Sequence, residues 1–327
     1  MKRALTLIIL VALAACDSNG GAIVPASAPP ADPGTGTTIT SANAASVSGA
    51  AWGAVNNSAD MVGLIGNSGL IASNPGNVNK AAQDLVTKAS IGDILQGVPI
   101  GPLTLDCVIP GGTATIDGDI FDVITPTLTA DDVIIVDYNN CDDGLGEVLD
   151  GLLEMTIVSF TGDMLLGPYD LVATLRLKNF QVTTAADSIL TNGTATASLD
   201  TSDPANITAS VSGASMITDT NTYSETLTNF DTAQTVNTVD QFLPYTINAS
   251  GTLDNSQLDG VVSYTTGPQF TGNGLDFPGS GSLLISTVGS AARLTAIDNV
   301  NVTIDIDNDG DGVYDEMINT TWAAITN

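Results

Sequence analysis

From about Pro110 onward, apolar and polar residues alternate with a period of two. Ala114, Ile116 and Ile120 alternate with Thr115, Asp117 and Asp119, and Leu171, Ala173, Leu175 and Leu177 with Thr174, Arg176 and Lys178. The same pattern returns in Ile207, Ala209 and Val211, in Tyr245, Ile247 and Ala249, and in Val300, Val302, Ile304 and Ile306. Roughly a dozen strands can be drawn, separated by Gly, Asn, Asp and Pro clusters. Clean alternation puts one face in a core and the other in water, which is antiparallel behaviour. The short gaps favour hairpins over crossover helices. Gly-Thr/Ser-Leu/Ala stretches near Gly112, Gly193, Gly251 and Gly281 read as strand starts.

Upstream the period is helical. Ala44, Val47, Ser48, Ala51, Trp52 and Val55 fall on one face, with Thr40 or Ser41 available as N-cap. Trp52 reads as core. A second helix is expected from about Asn77 to Leu95, with Val78, Ala81, Ala82, Leu85, Val86 and Ala89 on its apolar side. The expected fold is therefore mainly β (α+β). It is a large curved antiparallel sheet or partly closed barrel, residues 99–327, with the N-terminal helices of residues 40–98 packed on its apolar face.

The chain opens with Lys2 and Arg3, an apolar run from Ala4 to Ala15, and Cys16. That run rises only about 18 Å as a helix, too short for a hydrocarbon core of roughly 30 Å. It reads as an export signal over residues 1–15. Leu13-Ala14-Ala15-Cys16 resembles the lipobox of bacterial lipoproteins. The resemblance implies that Cys16 becomes the first mature residue and carries lipid, anchoring the protein to a membrane of the bacterial cell envelope. Asp17 resembles the inner-membrane retention signal of enteric lipoproteins, a rule that does not hold in all bacteria, so the choice of membrane stays open. Residues 16–39, with Pro25, Pro29, Pro30 and Pro33, read as a disordered tether reaching about 25 Å.

Charge narrows the function classes. The 327 residues hold 7 Lys and Arg against 36 Asp and Glu, with a net charge of −29 and no histidine. This excludes histidine-dependent nucleophiles and histidine-ligated metals, and argues against nucleic acid as a partner. Carboxylate pairs such as Asp117 with Asp119, Asp131 with Asp132, or Glu147 with Glu154 keep a hydrolase conceivable, but a solvated acidic face explains them. Arg176 and Lys178 share a strand face and read as cross-strand ion-pair partners. With Cys16 assigned to lipid, Cys107 and Cys141 remain, and an exported protein most simply pairs them. That disulfide would contribute about 4 kcal/mol through chain entropy.

One stretch carries metal chemistry. Residues 305–316 place Asp305, Asp307, Asp309 and Glu316 at the first, third, fifth and twelfth positions of an EF-hand-like loop. The same stretch resembles the aspartate-rich calcium repeats of extracellular matrix proteins in a second register, Asp307, Asp309, Asp311, Gly312 and Asp315. Extended flanks favour the second register and a hairpin tip. Calcium there would bind in the range of roughly 10⁻⁴ to 10⁻³ M. The expectation is a non-catalytic envelope lipoprotein with a structural or adhesive role. The alternative is a carrier that holds an apolar ligand between sheet and helices.

Overall fold

A computed structural model describes residues 37–62, 100–119, 128–142, 147–162, 168–185, 187–240, 242–274 and 276–326. The signal segment, Cys16, all but the last residues of the tether, and the expected helix at 77–95 lie outside the described residues.

The alternating segments form strands, as their period requires. Three strands come first: β1 (Ile100–Asp106), β2 (Thr113–Asp119) and β3 (Val133–Asp142). Six long ones follow: β4 (Val148–Gly162), β5 (Tyr169–Thr183), β6 (Ser188–Asp200), β7 (Asn206–Asp219), β8 (Ser224–Asn237) and β9 (Pro244–Asn255). The remainder are short: β10 (Val261–Thr266), β11 (Phe270–Asn273), β12 (Ser282–Thr287), β13 (Ser290–Ala296), β14 (Asn301–Asp307) and β15 (Glu316–Thr321).

All fifteen make one antiparallel sheet in chain order, except that β10 and β11 both pair with β9. β10 takes the second half of β9 and β11 the first half, so the two are one long strand broken at Gly267-Pro268. The sheet is not closed; β1 and β15 are its edges. Of the two expected forms, a large curved antiparallel sheet or a partly closed barrel, the described residues form the open sheet. After β15 the chain turns into a one-turn helix, α2 (Trp322–Ile325), whose Trp322 and Ile325 bury inward.

The period-3.6 segment is α1 (Ala44–Val62). It touches both β6–β9 and β12–β14, strands far apart in sheet order, so the sheet curls around it. Ala44, Val47, Ala51, Trp52 and Val55 are all buried, as their spacing demands. Trp52 sits edge-on to Phe270 at 4.8 Å and against Trp322 at 4.8 Å, which makes it core. Of the N-terminal helices expected on the apolar face, α1 is the single one among the described residues, with Trp322 of the C-terminal turn α2 packed beside it. Its start is shaped by Asn43 instead of a Thr40 or Ser41 hydroxyl, the Asn43 amide accepting from Thr40 N–H and donating to Thr38 carbonyl.

Two of the four glycine stretches do not start strands. Gly193 lies inside β6 and Gly251 inside β9. A Cβ at Gly251 would strike the Tyr264 ring, which lies across it from β10. Gly213 stands in the same relation to Phe230. Small residues opposite large rings let a curved sheet fill its concave side without clashes. Val300 also departs from its pattern: it is 55% exposed in the turn before β14.

Candidate metal site

The acidic stretch is the β14–β15 hairpin, and its residues separate into three groups. Asp305 points outward from β14 opposite Arg293 on β13. The guanidinium donates to Asp305 Oδ2 from Nε at 3.1 Å and from Nη2 at 2.7 Å, and lies 4.5 Å over the Tyr314 ring. Asp305 therefore has its cation within the protein. This removes it from the EF-hand-like register, where it would have been the first ligand.

Asp307 ends the strand and is almost fully buried. It organises the loop: Gly310 N–H donates to its Oδ1 at 2.7 Å and Gly312 N–H to its Oδ2 at 2.9 Å. Both glycines have φ in the left-handed region, 72° and 86°, which few other residues adopt at low cost. Asp309 accepts from Asp311 N–H, Asp311 from Val313 N–H, and Asp315 from Asn308 N–H at 3.2 Å. Asp307, Asp309 and Asp311 thus close local turns, while Asp315 ties the two arms of the hairpin tip together.

The outcome is that Asp307, Asp309 and Asp315 each offer a carboxylate oxygen within 4.8 Å of the others. Two oxygens on one calcium, each at about 2.4 Å, stand no more than about 5 Å apart, so this spacing suits the ion. Asp311 and Glu316 are not in the group. Glu316 Oε1 instead accepts from the Asn308 amide at 3.0 Å. The gathered residues belong to the second register, and the EF-hand-like one is split among different partners. Asn308, which sequence reasoning passed over, keeps a buried Oδ1 with no partner among the described residues.

The loop is also seated on its surroundings. A Cβ at Gly310 would meet the Gly289 backbone of the β12–β13 turn. Beside that turn, Ser290 Oγ accepts from Ile39 N–H at 2.7 Å. The described chain therefore enters the body next to the acidic loop, a proximity between residues some 250 positions apart (sequence separation 251) that no local pattern announces.

Other expected residues have structural roles. Cys107 and Cys141 form a disulfide with Cα atoms 5.4 Å apart, tying the end of β1 to β3 across β2. Arg176 pairs with Glu154 on the neighbouring strand at 3.4 Å, as its strand position suggested, while Lys178 is exposed opposite Leu152. Asp132 is buried and accepts from Thr129 N–H and Oγ1, whereas Asp131 is exposed. Asp117 accepts from Gly118 N–H; the Asp119 side chain lies outside the described residues.

A second acidic site was not anticipated. Glu225 on β8 is buried, and its oxygens accept from the Asn57 amide of α1 at 3.3 Å and the Asn255 amide of β9 at 3.4 Å. Burial pushes its carboxyl above the usual range, and the two amides only partly offset this. The phenols of Tyr223 and Tyr264 are raised as well, mainly by burial and then by the Glu225 charge. No alternation rule marks Glu225, because it occupies an inward position that the pattern assigns to apolar residues.

The chain matches no protein-family model, no curated protein and no solved structure.

Proposed function

We propose that this protein is a non-catalytic body tethered to the bacterial envelope by lipid on Cys16, with a structural or adhesive role, and that calcium stiffens its 307–315 loop. The observation that carries this reading is the meeting of Asp307, Asp309 and Asp315 in a loop seated on the turn that holds Ile39. Carboxylates brought this close repel one another, and a divalent cation relieves the repulsion. An ion there would fix the loop exactly where the tether is expected to join the body, which is useful in a protein pulled through its own anchor.

Hydrogen exchange tests the calcium part. Millimolar calcium should slow exchange of the Gly310 and Gly312 amides, and magnesium at equal concentration should do so less; exchange unchanged by calcium removes the ion from the account. For the tether, labelled palmitate should enter the wild-type chain and not Cys16→Ser. Equal labelling of both, or none in either, rules out the anchor.

A further inference from the structure

We infer that a groove on the outward face of the sheet binds a neutral carbohydrate chain. This goes beyond the tethered, calcium-stiffened reading and stands or falls without it. The groove encloses about 510 Å³ and is lined by β7–β9, β11 and the segment leading to β12. Its size is in the range of small-ligand sites, and its lining mixes hydroxyls and amides with the apolar surface of Pro244, Tyr245 and Phe277.

The floor is a row of hydroxyls fixed by strand register. Thr235 pairs with Thr246 and Thr246 with Thr271; Thr271 then bridges to Ser280, and Thr208 continues the row beyond the groove opposite Thr235. These residues alternate with buried Gln234, Val236, Tyr245 and Ile247, so the row faces outward. Adjacent strands place one hydroxyl about every 4.8 Å. That interval is close to the length one pyranose adds to an extended chain. The Thr208 and Thr235 hydroxyls share one hydrogen bond, as do those of Thr271 and Ser280, so each pair keeps one O–H to donate and lone pairs to accept from a ligand's hydroxyls.

The walls fit the same ligand. Asn237 is held by its neighbours, donating to Asn206 Oδ1 at 3.1 Å and accepting from Val239 and Asp240 N–H. Asn273, exposed at the rim, spends no side-chain bond within the described residues. Phe277 lines one side, stacked on Trp322 at 5.4 Å. Phe242 is 64% exposed and is the only exposed aromatic among the described residues. It stands two positions before the lining residue Pro244, on a turn that Gly274 N–H ties down through the Leu243 carbonyl. An exposed ring on the turn that leads into a groove of hydroxyls, amides and apolar surface suits the C–H face of a sugar, which is apolar on one side and hydroxylated at its rim.

Charge and topology exclude the competitors. The only ionisable carboxylate in the lining is Asp276 and there is no cation, so an anionic ligand meets repulsion from a chain of net charge −29. β7, β8 and β9 are paired on both sides, and β11 is bridged at Thr271 to Ser280 on the side away from β9, so an extended peptide finds at most two free residues of strand edge there. The groove also lies at the Ser282 end of β12, whereas the acidic loop and Ile39 lie at its Thr287 end, so the two sites are at opposite ends of the short strands.

Affinity electrophoresis of the full chain in detergent tests the inference, with gels containing amylose, hydroxyethyl cellulose or galactomannan, and polygalacturonate as the anionic comparison. At least one neutral polymer should retard the wild type, and polygalacturonate should not. Phe242→Ala and Asn273→Ala, both exposed and expected to melt like wild type, should each weaken binding about three- to tenfold. Thr196→Val, an exposed hydroxyl on β6 outside the groove, should leave it unchanged. Retardation by no neutral polymer overturns the inference. So does retardation by polygalacturonate alone, binding that survives both groove variants, or binding that Thr196→Val reduces equally.

Discussion

Glu225 on β8 and Asp307 at the end of β14 are equally buried, each with 3% of its surface exposed, yet the chain surrounds them with different chemistry. Glu225 sits under α1 and, among the described residues, accepts from two side-chain amides. Asp307 receives backbone N–H groups from a glycine-rich loop and has two more carboxylates drawn up beside it. The first arrangement favours a neutral carboxyl and ties helix to sheet. The second concentrates negative charge at a point where an ion from solution can enter. The difference lies in the neighbours: one acid is placed singly on a long strand, the others follow one another around a turn. Asp305, two residues before Asp307, shows a third solution, because its neighbour across the ladder is Arg293.

The contrast can be broken most forcefully at Asp307. Asp307→Ala removes both loop-closing acceptors and leaves the Gly310 and Gly312 N–H groups without their partner. It should destabilise the protein by about 2–3 kcal/mol, read by chemical denaturation without calcium. A loss below about 0.5 kcal/mol would mean that the loop is held by something else. Glu225→Gln sharpens the other side. Because the folded protein raises this carboxyl, its favourable contribution is complete below the ordinary glutamate range and is lost as pH rises through the raised value. Wild type should therefore lose stability relative to Glu225→Gln as pH is increased over that interval. Parallel pH profiles for the two proteins would show that Glu225 titrates as it does in the unfolded chain.

Much of the sheet was legible because alternation is a local property. The buried residues Leu171, Ala173, Leu175 and Leu177 of β5 could be read directly from period two. The Cys107–Cys141 disulfide was legible by elimination, and the acidic hairpin tip by its crowded aspartates. What escaped depends on residues distant in sequence. The curl around α1, the Arg293–Asp305 pair and the Ile39–Ser290 bond are set by strand order, and one sequence does not display strand order. Gly251 was misread for the same reason: only the position of Tyr264 shows why a glycine stands inside a strand. Glu225 ran against the pattern outright, and the amides that accommodate it come from α1 and β9.

The central claim is that Asp307, Asp309 and Asp315 form a calcium site that stabilises the folded body. Thermal unfolding of the full chain, with calcium raised from chelator-buffered to millimolar levels, tests it against Asp309→Asn. At ten times the dissociation constant the ion should add about 1.4 kcal/mol, seen as a rise in Tm in the wild type and little or none in the variant. A wild-type Tm that calcium leaves unchanged, or an equal rise in both proteins, would contradict the claim.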